Sequence, residues 1–531
     1  MLSKLAAQPS GCDPLDVVAG LRRRFESRGV PVSVIETHIS WVLLAGAFAY
    51  KIKKPVRFGF LDFGTLEARR RFCEEELRLN RRLAAWLYIG VVPVRATPGL
   101  PAFGGSGPVV EYALKMHRLP PHALASERLE RGRLDGEQLA AFARRLARFH
   151  EEVPAAPPDT DWGTPETVRG DAERALAGLA PLAPPAEREA CAVLGRWFEA
   201  RVAALAPHLA ARRAAGRVRE GHGDLHLDNV LVARGEVTAF DCIEFDPALR
   251  WIDTMNDLGY LMMDLLAHGR RDLAYGVLDA YLEASGDFDG LHVLPLFLVY
   301  RAVVRALVHA LRSAAHVPGA GLTAADYLRL AQRLAEPGTA RLLVTHGLPG
   351  AGKTQVARQL LERAGAVRLR SDVERKRLAG LPALADSRAA GDLYRAQASD
   401  ATYARLELLA GDALRAGFPV IVDAAFLQRA QRERMRALAA RLQVPFAILD
   451  CQAPLAVLHE RVRRRQAAGG DASEADEAVL ERLAALEQPL DEAERAWTLT
   501  VRTDEPLALA ALLGRWQAAA VPRAAPGAAA P

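Results

Sequence analysis

Cysteine is scarce in this sequence and never clustered. The 531 residues contain five, namely Cys12, Cys73, Cys191, Cys242 and Cys451. No two of them form a Cys-x-x-Cys pair, which excludes a cysteine zinc framework and a disulfide scaffold. The pattern predicts a reduced chain of the cytoplasm.

Long apolar runs are lacking as well. The longest, LHVLPLFLVY at 291–300, stops at Arg301 and is too short to cross a bilayer. The first fourteen residues, MLSKLAAQPSGCDP, contain no apolar signal core. We therefore expect a soluble, cytoplasmic protein with no membrane partner.

Neither sign of charge dominates the chain. The 69 basic residues nearly balance the 64 acidic ones, and the two signs mix along predicted helices, as in RRRFCEEELRLNRR at 69–82. This mixing does not predict a dedicated nucleic-acid surface. Only seven of the basic residues are lysines, so a lysine here can mark a site that needs a compact ammonium group.

The pattern of helices and strands changes at about residue 340. Before it, a strand hairpin at 31–60, an amphipathic helix at 66–87 and a second hairpin at 220–246 are joined by largely helical segments. After it, the strand RLLVTHG at 341–347 and strands at 366–369, 419–422 and 445–449 alternate with helices, which predicts a parallel α/β sheet.

The segment GLPGAGKT at 347–354 satisfies the phosphate-binding pattern G-x-x-x-x-G-K-[ST]. It follows an apolar strand and precedes a helix, which is the context this pattern requires; a flexible glycine turn is the alternative. Lys353 is expected to reach the β- and γ-phosphates, and Thr354 to hold Mg²⁺. The predicted nucleotide-binding residues are Gly347, Leu348, Pro349, Gly350, Ala351, Gly352, Lys353 and Thr354.

Residues after the P-loop favour phosphoryl transfer over ATP hydrolysis. The strand PVIVDAAF offers Asp423 as a magnesium ligand, without the glutamate that activates water in motor ATPases. Asp372 and Arg375 lie three apart at a helix start and so face the same way. We expect Asp372 to accept the proton of an attacking hydroxyl group, while Arg375 holds a phosphate or carboxylate.

An arginine-rich helix at 459–471, HERVRRRQAAGGD, suits a lid over the moving phosphoryl group. We take Arg461 as the catalytic arginine, with Arg464 and Arg465 as alternatives; a solvated basic face is the other interpretation. Over about 340–515 the chain resembles the small P-loop kinases grouped with polynucleotide kinase, gluconate kinase and zeta toxin.

The loop GHGDLHLDN at 221–229 concentrates histidine and aspartate, as a zinc site would. Its glycines indicate a loop, and a kinase catalytic loop of the type H-x-D-x-x-x-x-N fits better. In that interpretation Asp224 is the general base and Asn229 binds Mg²⁺. The hairpin VLVARGEVTAF then leads to Asp241, a second magnesium ligand.

A kinase-like lobe also needs a strand lysine on the ATP phosphates and a helical glutamate that orients it. FAYK at 48–51 ends in Lys51, which we take as this lysine. Lys53 lies on the same face of the strand as Lys51 and is the alternative. The helix FCEEELRL offers Glu76, which we prefer to Glu75.

These motifs resemble the aminoglycoside phosphotransferase family, which has the protein-kinase fold, over roughly 35–330. HGDLHLDN matches its catalytic loop, and FDCIEFDP followed by DLGYLMMDL at 257–265 matches its metal-binding aspartate and the helix after it. The resemblance implies the same base, magnesium ligands and ATP lysine, with the histidines shaping the loop. No G-x-G-x-x-G is present, so the loop over the phosphates stays unassigned.

The whole chain resembles bacterial bifunctional proteins that fuse an aminoglycoside phosphotransferase-like domain to a P-loop ATP-binding domain. The predicted fold is an α+β, protein-kinase-like, two-lobed domain followed by an α/β P-loop domain with a parallel sheet. We expect a helical extension at 1–34, the kinase-like domain at 35–335, the P-loop kinase/ATPase domain at 340–515 and a disordered tail at 518–531.

We predict an ATP- and Mg²⁺-dependent phosphotransferase that acts on a hydroxyl group of a small molecule in each half. The fold and the catalytic loop indicate the reaction but not the acceptor. A regulatory protein, in which one domain senses ATP without transfer, is one alternative. A polynucleotide 5′-hydroxyl kinase in the C-terminal domain is another, and it alone makes nucleic acid a partner.

Overall fold

The computed structural model of the chain describes residues 14–58, 61–316, 321–383, 385, 396–468 and 472–522. The first thirteen residues of the expected N-terminal extension and residues 523–531 of the expected tail lie outside this part of the chain. The helix of the extension is Pro14–Glu26, and a strand already begins at Val32.

Seventeen strands and eighteen α-helices lie within the described residues. The strands are β1 Val32–Glu36, β2 Ser40–Ala45, β3 Phe48–Lys53, β4 Arg57–Phe58, β5 Leu61–Asp62, β6 Tyr88–Arg95, β7 Ala102–Phe103, β8 Val109–His117, β9 Val218–Glu220, β10 Val230–Ala233, β11 Glu236–Ala239, β12 Trp251–Asp253, β13 Leu342–His346, β14 Val367–Arg370, β15 Val420–Asp423, β16 Phe446–Gln452 and β17 Thr498–Arg502. The helices are α1 Pro14–Glu26, α2 Leu66–Ala84, α3 Ala125–Glu130, α4 Gly136–Glu152, α5 Pro165–Leu179, α6 Pro185–Ala214, α7 Thr254–Ala267, α8 Arg271–Ser285, α9 Leu294–Ala314, α10 Ala324–Ala335, α11 Lys353–Ala364, α12 Ser371–Leu378, α13 Ala396–Arg415, α14 Arg429–Leu442, α15 Leu455–Ala468, α16 Glu477–Leu486, α17 Glu492–Arg495 and α18 Leu509–Gln517.

The chain divides into two compact units, which we describe separately. The first comprises residues up to Leu134 together with 152–162 and 216–257, and the second comprises 135–151, 163–215 and 258 onward. The second unit therefore contains the helices α8, α9 and α10 as well as the P-loop sheet.

The first unit is built on an antiparallel sheet of order β1-β2-β3-β8-β6-β7. Helix α2 packs on β6 and β8 and is preceded by Thr65, whose side chain accepts a hydrogen bond from the amide of Ala68. Its inward face carries Glu76 and Asn80, spaced i, i+4, because side chains at that interval share one side of a helix. Hairpin β10–β11 turns at Arg234 and Gly235, as the sequence predicts.

The second unit contains a parallel sheet of order β14-β15-β13-β16-β17. Every residue of β13 and β15 is buried, as expected for parallel strands covered on both faces. The P-loop follows β13, and Asp423 ends the neighbouring strand β15. Strand β17 was not among the predicted strands.

Helix α9 is the one described helix that is long and apolar enough to cross a membrane, judged by length and composition alone. In its most apolar 18-residue window, 56% is buried inside the protein. A core helix of a globular protein meets the same test, and α9 packs against α5 and α10.

Candidate active sites

Lys51 stands at the centre of an ion-pair chain in the first unit. Its Nζ lies 2.8 Å from Oε1 of Glu76 and 2.6 Å from Oδ1 of Asp241. Burial lowers the pKa of a lysine, yet the two carboxylates raise the pKa of Lys51 well above its ordinary value. The structure therefore brings the predicted strand lysine, helical glutamate and post-hairpin aspartate into direct contact.

Lys53, the alternative lysine, occupies the interior behind this chain. Its fully buried ammonium group contacts Oε2 of Glu76 at 2.8 Å and also pairs with Glu244. Burial would raise the pKa of Glu76, but the charges of Lys51 and Lys53 lower it to about 2. Only Lys51 of the two contacts Asp241, which favours Lys51 as the lysine on the nucleotide.

Asp241 has an unusual backbone conformation. Its φ is +61°, in the left-handed region that non-glycine residues seldom adopt. Its amide donates to the hydroxyl of Tyr88 at 3.2 Å, and its side chain is 43% exposed. Strained backbone of this kind is often found where a side chain must be aimed at a ligand.

The catalytic loop holds Asp224 next to Asn229. Nδ2 of Asn229 donates to Oδ2 and to the carbonyl of Asp224, both at 2.9 Å. Nε2 of His226 lies 3.3 Å from the same carboxylate oxygen. The loop is joined to the strand before Asp241, because the amide of Phe240 donates to the carbonyl of Asn229 at 3.0 Å.

His222 acts as a structural member of the loop. Its Nδ1 accepts from the amide of Asp224 at 3.3 Å, and its Nε2 lies 2.9 Å from the carbonyl of Phe240, which only a donor N–H can satisfy. Burial lowers the pKa of His222, which favours the neutral ring that an accepting Nδ1 requires. With both ring nitrogens engaged, this histidine does not offer a lone pair to zinc.

Asp257, at the start of α7, fastens the same loop from below. Its two carboxylate oxygens accept from the amides of His222 and Gly223 at 2.7 and 2.9 Å. Gly223 has φ +85°, and a Cβ there would lie 2.6 Å from the carbonyl of Leu249. Only glycine fits this close approach of two backbone segments.

In the second unit the P-loop curls around its own glycines. Gly347, Gly350 and Gly352 all have positive φ, and a Cβ on Gly350 would meet the carbonyl of Leu458 at 2.8 Å. Nζ of Lys353 donates to the carbonyls of Gly347 and Leu348 at 2.8 and 2.9 Å. Burial lowers the pKa of Lys353.

A cavity of about 810 Å³ opens over the P-loop. Its walls include Lys353, Thr354, Asp423, Asp372 and Arg375, so the structure brings these five predicted residues to one site. Asp372 and Arg375 form an ion pair of 2.7 Å. Burial raises the pKa of a carboxyl group, but the adjacent guanidinium groups lower the pKa of Asp372.

The three candidate lid arginines have different surroundings. Arg461 donates to the carbonyls of Gly350 and Thr503, and so ties the P-loop to the segment after β17. Arg465 also lines the cavity and donates to the carbonyl of Ala475. Arg464 is largely exposed and pairs with Glu460 in the same helix.

The P-loop cavity fits a nucleotide phosphate and a divalent cation. Oδ2 of Asp423 is buried and has no hydrogen-bond partner among the described residues, as expected of an oxygen reserved for a cation. The glycines bring the backbone close enough to cradle phosphate oxygens, and Lys353 supplies a positive charge beside them. In the first unit, the side chains of Asn229 and Asp241 carry oxygen atoms of the type that Mg²⁺ prefers.

Three features of these sites did not emerge from the sequence patterns. Glu244 pairs with Lys53, Asp257 fastens the catalytic loop, and Arg368 on β14 lies near Asp423. Glu244 and Asp257 fall inside the quoted segments FDCIEFDP and DLGYLMMDL, so their position was a usable signal. No sequence signal marked Arg368, because its partners come from a helix that is distant in the sequence.

Two family models match the chain. The model described as "Phosphotransferase enzyme family" matches residues 60–296, and that described as "AAA domain" matches residues 342–490. Both matches confirm the resemblances inferred from the catalytic loop and the P-loop, and with them the predicted fold class. The chain is accordingly a phosphotransferase of the kinase type.

Two solved structures are similar to parts of the chain. One is a putative kinase from Chloroflexus aurantiacus, with 23% identity over 34% of this chain and 98% of that chain and a TM-score of 0.28. The other is a choline/ethanolamine kinase family protein from Mesorhizobium loti, with 12% identity over 58% of this chain and 88% of that chain and a TM-score of 0.35. At such scores, family membership rests on sequence relatives.

Relatives that match most of the chain occur in mycobacteria. The chain is 33% identical over 455 residues to Uncharacterized protein Rv2004c of Mycobacterium tuberculosis (strain ATCC 25618 / H37Rv), covering 83% of this chain and 88% of the relative. Uncharacterized protein Mb2027c of Mycobacterium bovis matches with the same identity and coverage. The chain therefore belongs to the family of these mycobacterial proteins, and it carries a phosphotransferase-family segment followed by an AAA-type P-loop segment.

Proposed function

We propose that the chain is a cytoplasmic enzyme with two ATP sites, each of which transfers the γ-phosphoryl group of ATP to a hydroxyl group of a small molecule with Mg²⁺. The observation that carries the proposal is the ion-pair chain of Glu76, Lys51 and Asp241 in the same unit as the hydrogen-bonded Asp224 and Asn229. The described cysteines, all free and buried, support a reducing compartment.

In the first half, Asp224 orients the acceptor hydroxyl group and accepts its proton. The amide of Asn229 holds that carboxylate in place through its hydrogen bond of 2.9 Å. Lys51, oriented by Glu76, binds phosphate oxygens, while Asn229 and Asp241 hold the cation. Bound Mg²⁺·ATP supplies the transferable phosphoryl group and neutralises charge on it.

In the second half, the P-loop amides and Lys353 bind the phosphates, while Thr354 and Asp423 hold the cation. Asp372 orients the acceptor hydroxyl group. Its lowered pKa makes it a weak base, which suffices because phosphoryl transfer depends mainly on positioning and electrostatic stabilisation.

The cavity of the second half also supports a class of acceptor. Arg375, Arg465 and Arg482 line it in addition to Lys353 at the P-loop. Several guanidinium groups in addition to the ammonium group of Lys353 favour an acceptor that carries a carboxylate or a phosphate group. Arg461, held against the P-loop, supplies further positive charge.

Turnover of γ-labelled ATP by the full chain tests the proposal. Transfer is measured against a panel of hydroxylated metabolites and oligonucleotides, with Asp224→Asn and Lys353→Ala made separately. Each variant is expected to abolish transfer to the acceptors of its own half and to spare the other. Asp228→Asn, in the same loop as Asp224, and Arg363→Ala, on the same helix as Lys353, are the matched controls.

The outcomes separate the hypotheses. If neither variant reduces any transfer below that of its control, the two-site proposal is wrong. If one variant abolishes all transfer and the other none, the silent half is a regulatory nucleotide sensor. Labelling of oligonucleotide 5′ ends that Lys353→Ala removes would identify the second half as a polynucleotide kinase instead.

A further inference from the structure

A buried ionic cluster joins helix α8 to the edge of the P-loop sheet within the second unit. Helix α8 lies in the segment matched by the phosphotransferase family model, whereas β14 lies in the segment matched by the AAA model. The two elements pack together, and Tyr275 of α8 contacts the hydrophobic core of the P-loop sheet. Residues of the first family segment thus reach the second active site.

Arg368 on β14 is the hub of this cluster. Its guanidinium group is almost fully buried and forms two hydrogen bonds to Asp279, at 3.2 and 2.7 Å, and a third to Glu283 at 3.1 Å. Its remaining nitrogen, Nη1, lies 3.4 Å from the carbonyl of Thr354. Asp279 and Glu283, four residues apart on α8, therefore occupy most of the donors of Arg368.

Arg370 extends the cluster toward the cation site. It shares a face of β14 with Arg368, since the two residues are two apart on a strand. Its Nη1 lies 3.4 Å from Oε1 of Glu283. In the register of the sheet, Arg370 is the direct partner of Asp423 on β15.

Asp423 lies near both guanidinium groups but forms a hydrogen bond with neither. Its Oδ2 lies 3.9 Å from Nη1 of Arg368 and 3.9 Å from Nε of Arg370. These distances exceed the length of an N–H···O hydrogen bond by about 1 Å. Consistent with that, Oδ2 is a buried oxygen with no hydrogen-bond partner among the described residues.

We propose that Asp279 and Glu283 are positioning residues of the P-loop site: they hold Arg368 and Arg370 back from Asp423 and so keep its Oδ2 available to Mg²⁺. Without the two carboxylates, the guanidinium groups need another anion, and Asp423 lies 3.9 Å from each of them. An arginine bonded to Oδ2 competes with the cation. The inference rests on the proposed role of Asp423 in the second half.

Mn²⁺ binding in the presence of a non-hydrolysable ATP analogue tests this role without catalysis. Binding to the full chain is followed by the electron paramagnetic resonance of free Mn²⁺, and the part that Lys353→Ala removes is assigned to the P-loop site. In the double variant Asp279→Asn, Glu283→Gln, the dissociation constant of that part is expected to rise at least about tenfold, as for a competing charged hydrogen bond. Asp272→Asn, at the exposed start of α8, is expected to leave it unchanged.

A compensating substitution separates positioning from a merely structural role. Adding Arg368→Met and Arg370→Met to the double variant removes both competing guanidinium groups, so Mn²⁺ affinity is expected to return toward that of the parent. Unchanged affinity in the double variant, or a quadruple variant that binds Mn²⁺ no tighter than the double variant, overturns this inference and leaves the proposed function standing. If the parent shows no Lys353-dependent Mn²⁺ binding, the proposed function of this half fails and the inference fails with it.

Discussion

Replacing Glu76 with glutamine removes the carboxylate that Lys51 and Lys53 both contact. Glu76 lies 2.8 Å from Nζ of both Lys51 and Lys53, and its own side chain is 1% exposed. After the change Lys51 keeps Asp241 and Lys53 keeps Glu244, so each ammonium group retains one partner. The fold must then bury the same two positive charges with one fewer negative charge.

Two estimates of the cost agree. Removing one partner of a buried ion pair costs about 3–5 kcal/mol, and the retained partners favour the lower end. The pKa of Glu76, about 2 against an ordinary 4.5, corresponds to roughly 3 kcal/mol of preference for the charged form in the folded protein. We expect Glu76→Gln to destabilise the first unit by about 3 kcal/mol.

Native-state hydrogen exchange, read by mass spectrometry on peptides from β3 and α2, measures this locally and does not require both units to unfold together. An effect of about 3 kcal/mol accelerates exchange of the protected amides by roughly a hundredfold. Glu74→Gln is the control: Glu74 is half-exposed on the same helix and pairs with Arg70 at the surface, an interaction of about 0.5 kcal/mol. Equal acceleration in the two variants would refute the reasoning.

Three further predictions follow from the same geometry. The pKa of Glu76 is lower in the folded than in the unfolded protein, so the stability that Glu76 contributes is complete above about pH 4.5 and is lost as the pH falls toward 2. In that range, amides of β3 and α2 should therefore exchange faster than base-catalysed rates predict. Glu76→Gln should remove this extra acceleration. Gly350→Ala, which would set a Cβ 2.8 Å from the carbonyl of Leu458 at φ +82°, should weaken nucleotide binding at the P-loop by at least about tenfold in a calorimetric titration, whereas alanine at the exposed Gly380 should not. Arg212→Ala, which removes the bidentate partner of buried Asp287, should destabilise the second unit by about 3–5 kcal/mol in denaturant unfolding, and an unchanged midpoint would contradict it.

Local patterns were enough to identify the chemistry of both halves. The P-loop and the catalytic loop depend on residues close together in the chain, because glycines, a lysine and a threonine must line one phosphate group, and Asp224 and Asn229 must share one turn. Helix α2 and the strands β13, β14, β15 and β16 followed from periodicity for the same local reason. The family matches confirm the phosphotransferase-family and P-loop resemblances of the two segments.

The choice between Lys51 and Lys53 needed the tertiary structure. Both lysines lie on one face of β3, and the two-residue period of a strand cannot separate them. The fold separates them by bringing Asp241 to Lys51 and Glu244 to Lys53 from nearly two hundred residues away. Likewise, β17 lacks a strong pattern of its own and is defined by its pairing with β16.

The sequence by itself determined that this chain combines a kinase catalytic loop with a P-loop. Both motifs are contiguous in the chain, and glycines in both occupy positions where the backbone has a positive φ. Only the tertiary structure decided which charges are buried together. The desolvation cost of burying Arg368 or Lys53 is met by carboxylates from other elements, and no local pattern encodes where those elements pack. The contact of Asp279 and Glu283 with the P-loop sheet is one of the features that only the tertiary structure decided.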